Sequence, residues 1–234
     1  MKASLYLLLL LINAIQLTKA LETDQYLTHY WPITNGQMTD LIENSDMIQE
    51  NATYFIVDRF GNGNAALALN GGWTRVPSGV YFDTAEMTVT LWIYPSQIGS
   101  YATMFSFGNG APLDNIVMGI SDGLTLNPYI EFWSSATKVG TGVSSSPLAM
   151  NEWQFLAVSF DGLNLYMYLN DILTLNMSLS FSLPTLSRNS CFIGKSNWLQ
   201  NGFSYSYFDN LRFYNKSLTQ VELLEVMKQN ETGN

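Results

Sequence analysis

Few residues of this chain could move protons or attack a substrate. His29 is the one histidine and lies in the aromatic segment YLTHYWP, and Cys191 is the one cysteine, in RNSCFIG. A Ser-His-Asp triad needs an acidic partner for its histidine, and His29 has no obvious one. A His/Cys metal centre lacks its ligands. We therefore expect His29 to be a packed strand residue and Cys191 to be buried, with an intermolecular disulfide as the alternative for Cys191.

Oxygen-bearing side chains are more plentiful, and hard cations such as calcium bind several of them together. Loops rich in Asp, Asn and Gly occur at Thr39-Asp40, residues 108–110, Leu113-Asp114-Asn115 and residues 121–123. The same residue pairs are common turn formers. These loops therefore allow a calcium site, but turn formation alone also accounts for them.

Aromatic side chains in loops are a third source of chemistry, because a glycan can stack on them beside hydrogen-bonding amides. Trp198 stands out, since the segment KSNWLQNG places it in a polar, turn-like context. Tryptophans within strand patterns are predicted to pack in the core instead, and these are Trp31, Trp92 and Trp153. The candidate ligand-binding aromatics are Trp73, Tyr101, Trp133 and Trp198.

These residues must be positioned by β-strands. The stretch from Asn151 to Leu175 reads as three strands joined by two tight turns, at Asp161-Gly162 and Asn170-Asp171. Because both faces of this meander are apolar, a second sheet is expected to cover much of it. The fold class predicted is all-β, an antiparallel two-sheet jelly-roll sandwich.

The rest of the chain follows the same pattern. The clearest single strand is Glu86 to Pro95, with Val89, Leu91 and Ile93 on one face. Further strands are predicted within residues 25–33, 54–70, 101–107, 115–120, 129–134, 138–147, 191–194 and 203–214, with a surface loop from Thr34 to Thr53 and an irregular crossing from Gly71 to Phe82.

One short C-terminal helix is expected. Thr219 and Glu222 form a capping box there, and Leu218 can pack on Leu223. We expect Val221, Leu224 and Met227 to share its docking face.

Residues 1–20 have the features of a secretory signal peptide: a positive start at Lys2, an apolar run and a polar exit ending in Ala20. We expect a single domain over residues 21–234, secreted or extracellular, with no membrane span after cleavage.

The chain carries 10 Lys and Arg against 19 Asp and Glu, a net charge of −9. An acidic surface repels phosphate, so nucleic acid is not an expected partner. The predicted glycosylation acceptors are Asn51, Asn176, Asn215 and Asn230.

Five segments occur in an order that resembles a known family: DRFGNGNAALALNGG, MTVTLWIYP, FSFGNG, NEWQFLAVSFDGLNLYMYLND and FDNLRFYNKSLTQVEL. Together they are similar to the laminin G-like, concanavalin A-like lectin/glucanase superfamily, in its laminin-G-3 or pentraxin-like branch. The resemblance spans roughly Tyr26 to Met227 and implies a jelly roll. It also implies calcium as a cofactor. The preferred ligands are Asp40 with Asp209, and the second choice is Asp114 with Asn115. A pentraxin-like cluster of acids and amides for two calcium ions is absent.

Some members of that superfamily are glucanases, which need two neighbouring carboxyl groups. The acids that can be placed within strands, Glu131 and Asp209, are each alone in their part of the sequence. The leading expectation is therefore a recognition module without catalysis, which binds glycans or an extracellular protein through loops or a sheet face. The alternatives are a structural subunit of an extracellular assembly and, less favoured, a glycosidase-like enzyme.

Overall fold

The computed structural model describes residues 25–229, which form fifteen strands and a short helix. The helix, α1, spans Gln220–Lys228. The predicted signal peptide and the predicted acceptor Asn230 lie outside the described residues. The strands are β1 (Leu27–Trp31), β2 (Ile48–Gln49), β3 (Tyr54–Ile56), β4 (Ala66–Ala68), β5 (Thr74–Val76), β6 (Met87–Pro95), β7 (Thr103–Gly108), β8 (Ile116–Gly119), β9 (Tyr129–Ser134), β10 (Thr137–Val143), β11 (Gln154–Phe160), β12 (Asn164–Leu169), β13 (Ile172–Ser178), β14 (Ser190–Ile193) and β15 (Ser206–Tyr214).

The strands make two antiparallel sheets. The first sheet has the order β13-β12-β11-β6-β15-β4-β3, and β1 also pairs with β15. The second sheet has the order β10-β9-β8-β7-β14-β5-β2. Strands that are neighbours in space are often distant in sequence, as for β6 between β11 and β15. The predicted antiparallel two-sheet jelly-roll sandwich is confirmed.

The core lies between the two sheets and is built by period-two alternation. Val89, Leu91 and Ile93 of β6 are fully buried, as the sequence pattern predicts. Aromatic rings fill the space between sheets: Phe213 of the first sheet lies 5.8 Å from Phe105 and 5.2 Å from Phe107 of the second, between ring centroids. Such tilted and edge-on contacts are the favoured geometry for aromatic packing.

The predicted meander is formed by β11, β12 and β13, paired in sequence. Gly162 (φ +89°) and Asn170 (φ +54°) adopt left-handed backbone conformations in its two turns. Glycine and asparagine tolerate this region best, which explains why the turns fall at these residues. The inner face of the meander joins the core, and α1 covers part of the outer face at Phe155 and Ala157.

Three local predictions are corrected by the structure. The segment Gly71 to Phe82, predicted to be irregular, contains β5, which pairs with β14. The loop after β1 is more than surface chain, because it contains β2 and buries Met38 and Met47 in the core. The last strand begins at Ser206, three residues later than predicted, so Phe203 lies in the preceding loop.

The helix begins as predicted. Thr219 is its N-cap, and the reciprocal bonds of the capping box with Glu222 are both present. Leu218 and Leu223 are buried together in a small second core. The predicted docking face is wrong for Val221, which is 55% exposed, because Leu223 and Val226 are the residues that face the sheet.

Within residues 25–229, no helix has the length and apolar character that crossing a bilayer requires.

Candidate functional site

The four aromatic residues predicted to bind a ligand lie around one surface, the outward face of the second sheet. On β9, Ile130 and Phe132 point into the core, so Glu131 and Trp133 point outward. Trp73 lies two residues before the exposed Arg75 of β5 and therefore shares its side of the sheet. We call this surface the outer face of the second sheet.

Trp133 and Trp198 form a pair at one end of this face. Their ring centroids lie 4.9 Å apart with an interplanar angle of 44°, and both residues are half-buried. The indole Nε1 of Trp133 donates to Glu131 Oε2 at 3.0 Å, and Lys138 Nζ donates to Glu131 Oε1 at 2.6 Å. Glu131 therefore fixes the Trp133 ring and neutralises Lys138.

Trp198 reaches this position on the loop of residues 194–205, which connects β14 to β15 and crosses the outer face. Asn197 anchors the loop, because its Nδ2 donates to Asn115 Oδ1 at 2.7 Å and to the carbonyl oxygen of Ser190 at 2.9 Å. At the far end of the loop, the Gly202 amide donates to the Ser100 carbonyl at 2.7 Å. A Cβ on Gly202 would lie 2.3 Å from that same oxygen, so only glycine permits this approach.

Trp73 forms a second aromatic cluster on the other side of the loop. Its ring stacks on Phe203, with centroids 5.4 Å apart and an interplanar angle of 15°. Lys195 Nζ lies 4.7 Å from the Trp73 centroid and 4.5 Å from that of Phe192. The Trp73 indole donates to Glu50 Oε2 at 3.0 Å, which orients the ring.

Tyr101 lies at a third place on this face and is 52% exposed. Its ring meets that of Tyr129 edge to face, with centroids 6.5 Å apart. Burial raises the pKa of the Tyr129 hydroxyl, and the charge of Glu131 raises it further, so this phenol stays protonated. Tyr101 therefore contributes exposed aromatic surface to this face.

Three residues of this surface were missed from the sequence: Lys195, Asn197 and Phe203. Lys195 and Asn197 precede Trp198 in KSNWLQNG, so the polar context of Trp198 is the sequence signal that could have identified them. The alternation of its neighbours predicts that Phe203 lies in a strand. Its contact with Trp73 depends on where the strand begins.

The two acids that are the preferred calcium ligands, Asp40 and Asp209, are each in hydrogen-bond contact with nitrogen atoms. Asp40 Oδ2 lies 2.7 Å from His29 Nδ1, and Asp40 Oδ1 accepts from the Tyr30 amide at 3.0 Å. Asp209 Oδ2 accepts from Arg59 Nη1 at 2.7 Å. Carboxylate oxygens that accept from cationic and amide donors do not fit a calcium shell.

Asp114 and Asn115, the second predicted pair, are also engaged. The Asn115 amide donates to the Gly110 carbonyl at 2.9 Å and accepts from Asn197, and Asp114 Oδ1 accepts from the Ser135 amide at 3.1 Å. No group of three or more His, Cys, Asp and Glu side chains within residues 25–229 is placed to hold a metal ion. These contacts argue against calcium at the two predicted pairs, and calcium binding remains an untested implication of the family resemblance.

Three of the predicted glycosylation acceptors lie in the described residues. Asn51 and Asn176 are exposed, in a turn and on the edge strand β13 respectively. Asn215 is half-buried, and Ser217 of its acceptor tripeptide bonds to Ser159 Oγ at 2.8 Å. Modification of all four acceptors stays a prediction.

The sequence matches one protein family over most of the sandwich. The laminin-G-3 profile, described as the concanavalin A-like lectin/glucanases superfamily, fits residues 68–223. The chain belongs to the laminin-G-3 family. No curated protein matches the chain in sequence. The family match confirms the resemblance that the five ordered segments indicated.

Solved structures share the fold of this laminin-G-3 chain at low identity. Domain 4 of AbnA, a GH43 extracellular arabinanase from Geobacillus stearothermophilus, solved with arabinotriose, superposes with a TM-score of 0.70 at 22% identity, over 86% of this chain and 98% of that domain. The ligand binding domain of botulinum neurotoxin serotype D, solved with N-acetylneuraminic acid, has a TM-score of 0.67 at 12% identity, over 90% of this chain. The binding domain of Paraclostridial Mosquitocidal Protein 1 has a TM-score of 0.67 at 14% identity, over 87% of this chain. The chain spans about half the length of either toxin domain, 52% in both cases.

The laminin-G-3 match also bears on the site. The matched range contains all four aromatics of the outer face, Trp73, Tyr101, Trp133 and Trp198, and the whole loop of residues 194–205. It does not contain His29 or Asp40. The outer face therefore belongs to the part of the chain that defines the family.

Proposed function

We propose that this laminin-G-3 protein is a recognition module without catalytic activity, which binds glycans on the outer face of its second sheet. The observation that carries the proposal is the contact between Trp133 and Trp198, 4.9 Å apart at the surface. Trp73 and Tyr101 add aromatic surface elsewhere on the same face.

Aromatic surface suits sugars for a physical reason. A pyranose or furanose ring exposes C–H bonds on one side and hydroxyl groups at its rim, and the electron-rich face of an indole attracts the C–H side. Amide side chains can bond to the hydroxyls. Gln200 and Asn201 follow Trp198 in the same loop, and Gln200 is exposed.

Structural relatives support the proposal without deciding the ligand. Domain 4 of AbnA was solved with arabinotriose, and the serotype D toxin domain with N-acetylneuraminic acid. The AbnA domain, of which 98% is covered, supports a saccharide site on this fold, whereas the match covers only 52% of the toxin domain and does not place its sugar on the shared part. Identities of 12–22% are too low to transfer a particular ligand or subsite.

The absence of catalysis is proposed from the placement of the acids on this face. Glu131 is bonded to Lys138 and Trp133, and Glu50 to Arg75 and Trp73. Glu131 lies on β9, and Glu50 directly follows β2, which is five interstrand steps away, or about 24 Å. Glycosidase carboxyl groups lie about 5 Å apart in retaining enzymes and at most about 9.5 Å apart in inverting ones. These two acids therefore cannot act on one glycosidic bond.

A second candidate function is a subunit of an extracellular assembly, which rests on exposed aliphatic residues around the same face. Leu199 is 96% exposed next to Trp198, and Leu124 is 88% exposed in the loop beside Tyr101. Exposed apolar surface of this kind also occurs at protein interfaces.

A glycan array with purified protein tests the proposal. We expect the wild-type protein to bind a subset of glycans and Trp198→Ala to weaken that binding at least tenfold, because a buried tryptophan contact is typically among the strongest in an interface. Trp153→Ala is the matched control. Trp153, which the sequence pattern predicts to pack in the core, is instead a half-buried surface tryptophan beside Tyr94 on the outer face of the first sheet.

The outcomes separate the two functions. Equal loss of binding in Trp198→Ala and Trp153→Ala would contradict the assigned surface. A folded wild-type protein that binds no glycan, and that forms a stable oligomer by native mass spectrometry at micromolar concentration, would favour the assembly subunit.

Extracellular location is part of the same proposal. It is supported by the signal-peptide features of residues 1–20 and by the exposure of the acceptors Asn51 and Asn176. Expression in a eukaryotic secretory host followed by intact-mass analysis tests it. We expect protein in the medium that starts near residue 21 and carries N-glycans removable by peptide N-glycosidase; unmodified protein retained in the cell would contradict the location.

A further inference from the structure

We infer that Lys195 makes the outer face of the second sheet selective for acidic glycans, those that carry a carboxylate or a sulfate group. The inference rests on the proposed glycan-binding function. It adds the chemical class of the ligand and the residue that selects it.

Lys195 has no carboxylate partner among the residues that the structure describes, although the protein is rich in acids. Its ammonium lies 4.7 Å from the Trp73 ring centroid and 4.5 Å from the Phe192 centroid. Within residues 25–229, no carboxylate forms an ion pair with it. Aromatic faces attract an ammonium but leave its charge unneutralised, so it can still bind an anion.

The other cations of this face are already paired. Lys138 Nζ lies 2.6 Å from Glu131, and Arg75 lies 3.0 Å from Glu50. The charges within each of these two pairs cancel, which leaves the Lys195 ammonium as the cation that can still bind an anion. The whole chain has a net charge of −9, so the charge of Lys195 is opposite in sign to that of the molecule.

The range of electrostatic forces decides whether the local or the overall charge matters. At physiological ionic strength the screening length is about 8 Å, so distant acids act weakly on a ligand bound at the surface. An anion in contact with Lys195 experiences its charge at a few ångströms. The local cation therefore prevails over the acidity of the chain.

The two rings also reduce the cost of using a lysine. A free lysine side chain loses rotamer entropy when it binds a ligand. Trp73 and Phe192 already confine the ammonium of Lys195, and Trp73 is itself held by Glu50 and Phe203. The cation is thus positioned before the ligand arrives, beside an aromatic surface on which a sugar ring can stack.

The inference is tested with three forms of one oligosaccharide: neutral, with one carboxylate, and with one sulfate. Affinities of the wild-type protein for each are measured by titration calorimetry. We expect the acidic forms to bind at least tenfold more tightly than the neutral form. The two acidic arms show which anion is preferred.

Variants assign the selectivity to one side chain. We expect Lys195→Gln to lower the ratio of acidic to neutral affinity at least tenfold and Lys195→Arg to retain most of it. Lys228→Gln is the matched control, because Lys228 is an exposed lysine on α1, outside the proposed surface. In 1 M salt, where the screening length is about 3 Å, the wild-type ratio should also fall.

Failure of the inference differs from failure of the proposed function. Equal wild-type affinity for neutral and acidic forms, or an unchanged ratio in Lys195→Gln, would overturn the inference and leave glycan binding intact. If Lys228→Gln also lowers the ratio of acidic to neutral affinity, the selectivity comes from the overall charge of the protein. That result would overturn the inference too. A folded wild-type protein that binds none of the three forms, nor any glycan on the array, would overturn both.

Discussion

His29 and Asp40 form a buried pair that ties the first strand to the long loop after it. Nδ1 of His29 lies 2.7 Å from Oδ2 of Asp40, and the Asp40 side chain is fully buried. The other Asp40 oxygen accepts from the amides of Tyr30 at 3.0 Å and Ile42 at 3.2 Å. The loop therefore folds back on β1 around a single carboxylate.

This arrangement predicts how the protein responds to acid. Burial raises the pKa of Asp40, but the hydrogen bonds from His29, Tyr30 and Ile42 lower it, and the net result lies below the ordinary value. A lowered folded-state pKa means that the carboxylate stabilises the fold above its unfolded pKa of about 3.9, and that this stability is lost as the pH falls through the folded value. We expect the free energy of unfolding to fall below about pH 4.

Asp40→Asn isolates the contribution of this residue. The variant weakens the hydrogen bonds that the carboxylate accepts from His29, Tyr30 and Ile42. Because a hydrogen bond to a charged group contributes about 1.5–3 kcal/mol, the variant should be less stable at pH 7. Below pH 4 its deficit should shrink, because the unfolded wild-type chain then binds a proton at Asp40 that the folded protein takes up only at lower pH. Urea unfolding of both proteins at pH 7, 5, 4 and 3 measures this, and a deficit that stays constant with pH would contradict it.

The helix offers a test in which the structure and the sequence pattern disagree. Val226 is fully buried against the first sheet and Val221 is 55% exposed. We expect Val226→Ala to lower the free energy of unfolding by about 2 kcal/mol through lost burial and a cavity. Val221→Ala should change it by less than about 0.5 kcal/mol, as for most surface substitutions. A larger loss for Val221→Ala than for Val226→Ala in thermal or urea unfolding would show that the helix docks through the other face.

The helix also illustrates how far sequence reasoning extends. The capping box of Thr219 and Glu222 is local, and it located the helix correctly. Two apolar stripes with helical spacing overlap in the same nine residues, Val221 with Leu224 and Leu223 with Val226. Local spacing cannot choose between them, because the choice depends on where the sheet lies.

The same limit applies to the site. Alternation on β6 predicted the buried face of Val89, Leu91 and Ile93, since strand periodicity is a local property. Residue type indicates Trp133 and Trp198 as candidates, and the polar context KSNWLQNG adds to the signal for Trp198. Their contact depends on a strand order, β9-β8-β7-β14, that brings positions 65 residues apart together, and no local pattern contains that order.

Calcium should have little effect on stability. The oxygens of Asp40 and Asp209 accept from His29 and Arg59, and those of Asp114 and Asn115 accept from Ser135 and Asn197. A site present only in the folded state would add about 2.7 kcal/mol at a calcium concentration 100 times its Kd, which is several degrees in Tm for a protein of this size. We expect melting curves in 5 mM calcium and in excess chelator to coincide within a degree, with magnesium as the control for ionic strength. A rise of several degrees specific to calcium would restore the calcium site implied by the family resemblance.

Asn197 should act as a positioning residue for Trp198. Its side chain donates to Asn115 Oδ1 at 2.7 Å and to the Ser190 carbonyl at 2.9 Å, and both acceptors belong to the second sheet or its border. Asn197→Ala removes these donors and leaves the buried Asn115 oxygen without one of its partners, at a cost of about 1–3 kcal/mol. The loop of residues 194–205 should then open more often, and Trp198 should spend less time against Trp133. We expect faster hydrogen exchange in this loop and weaker glycan binding, by roughly threefold to tenfold.

Gln200→Ala is the control for exchange, because Gln200 is an exposed residue of the same loop whose side chain takes no part in the anchor. Normal exchange together with lost binding in Asn197→Ala would show that the side chain contacts the ligand directly, and normal exchange with normal binding would show that the loop does not depend on this anchor.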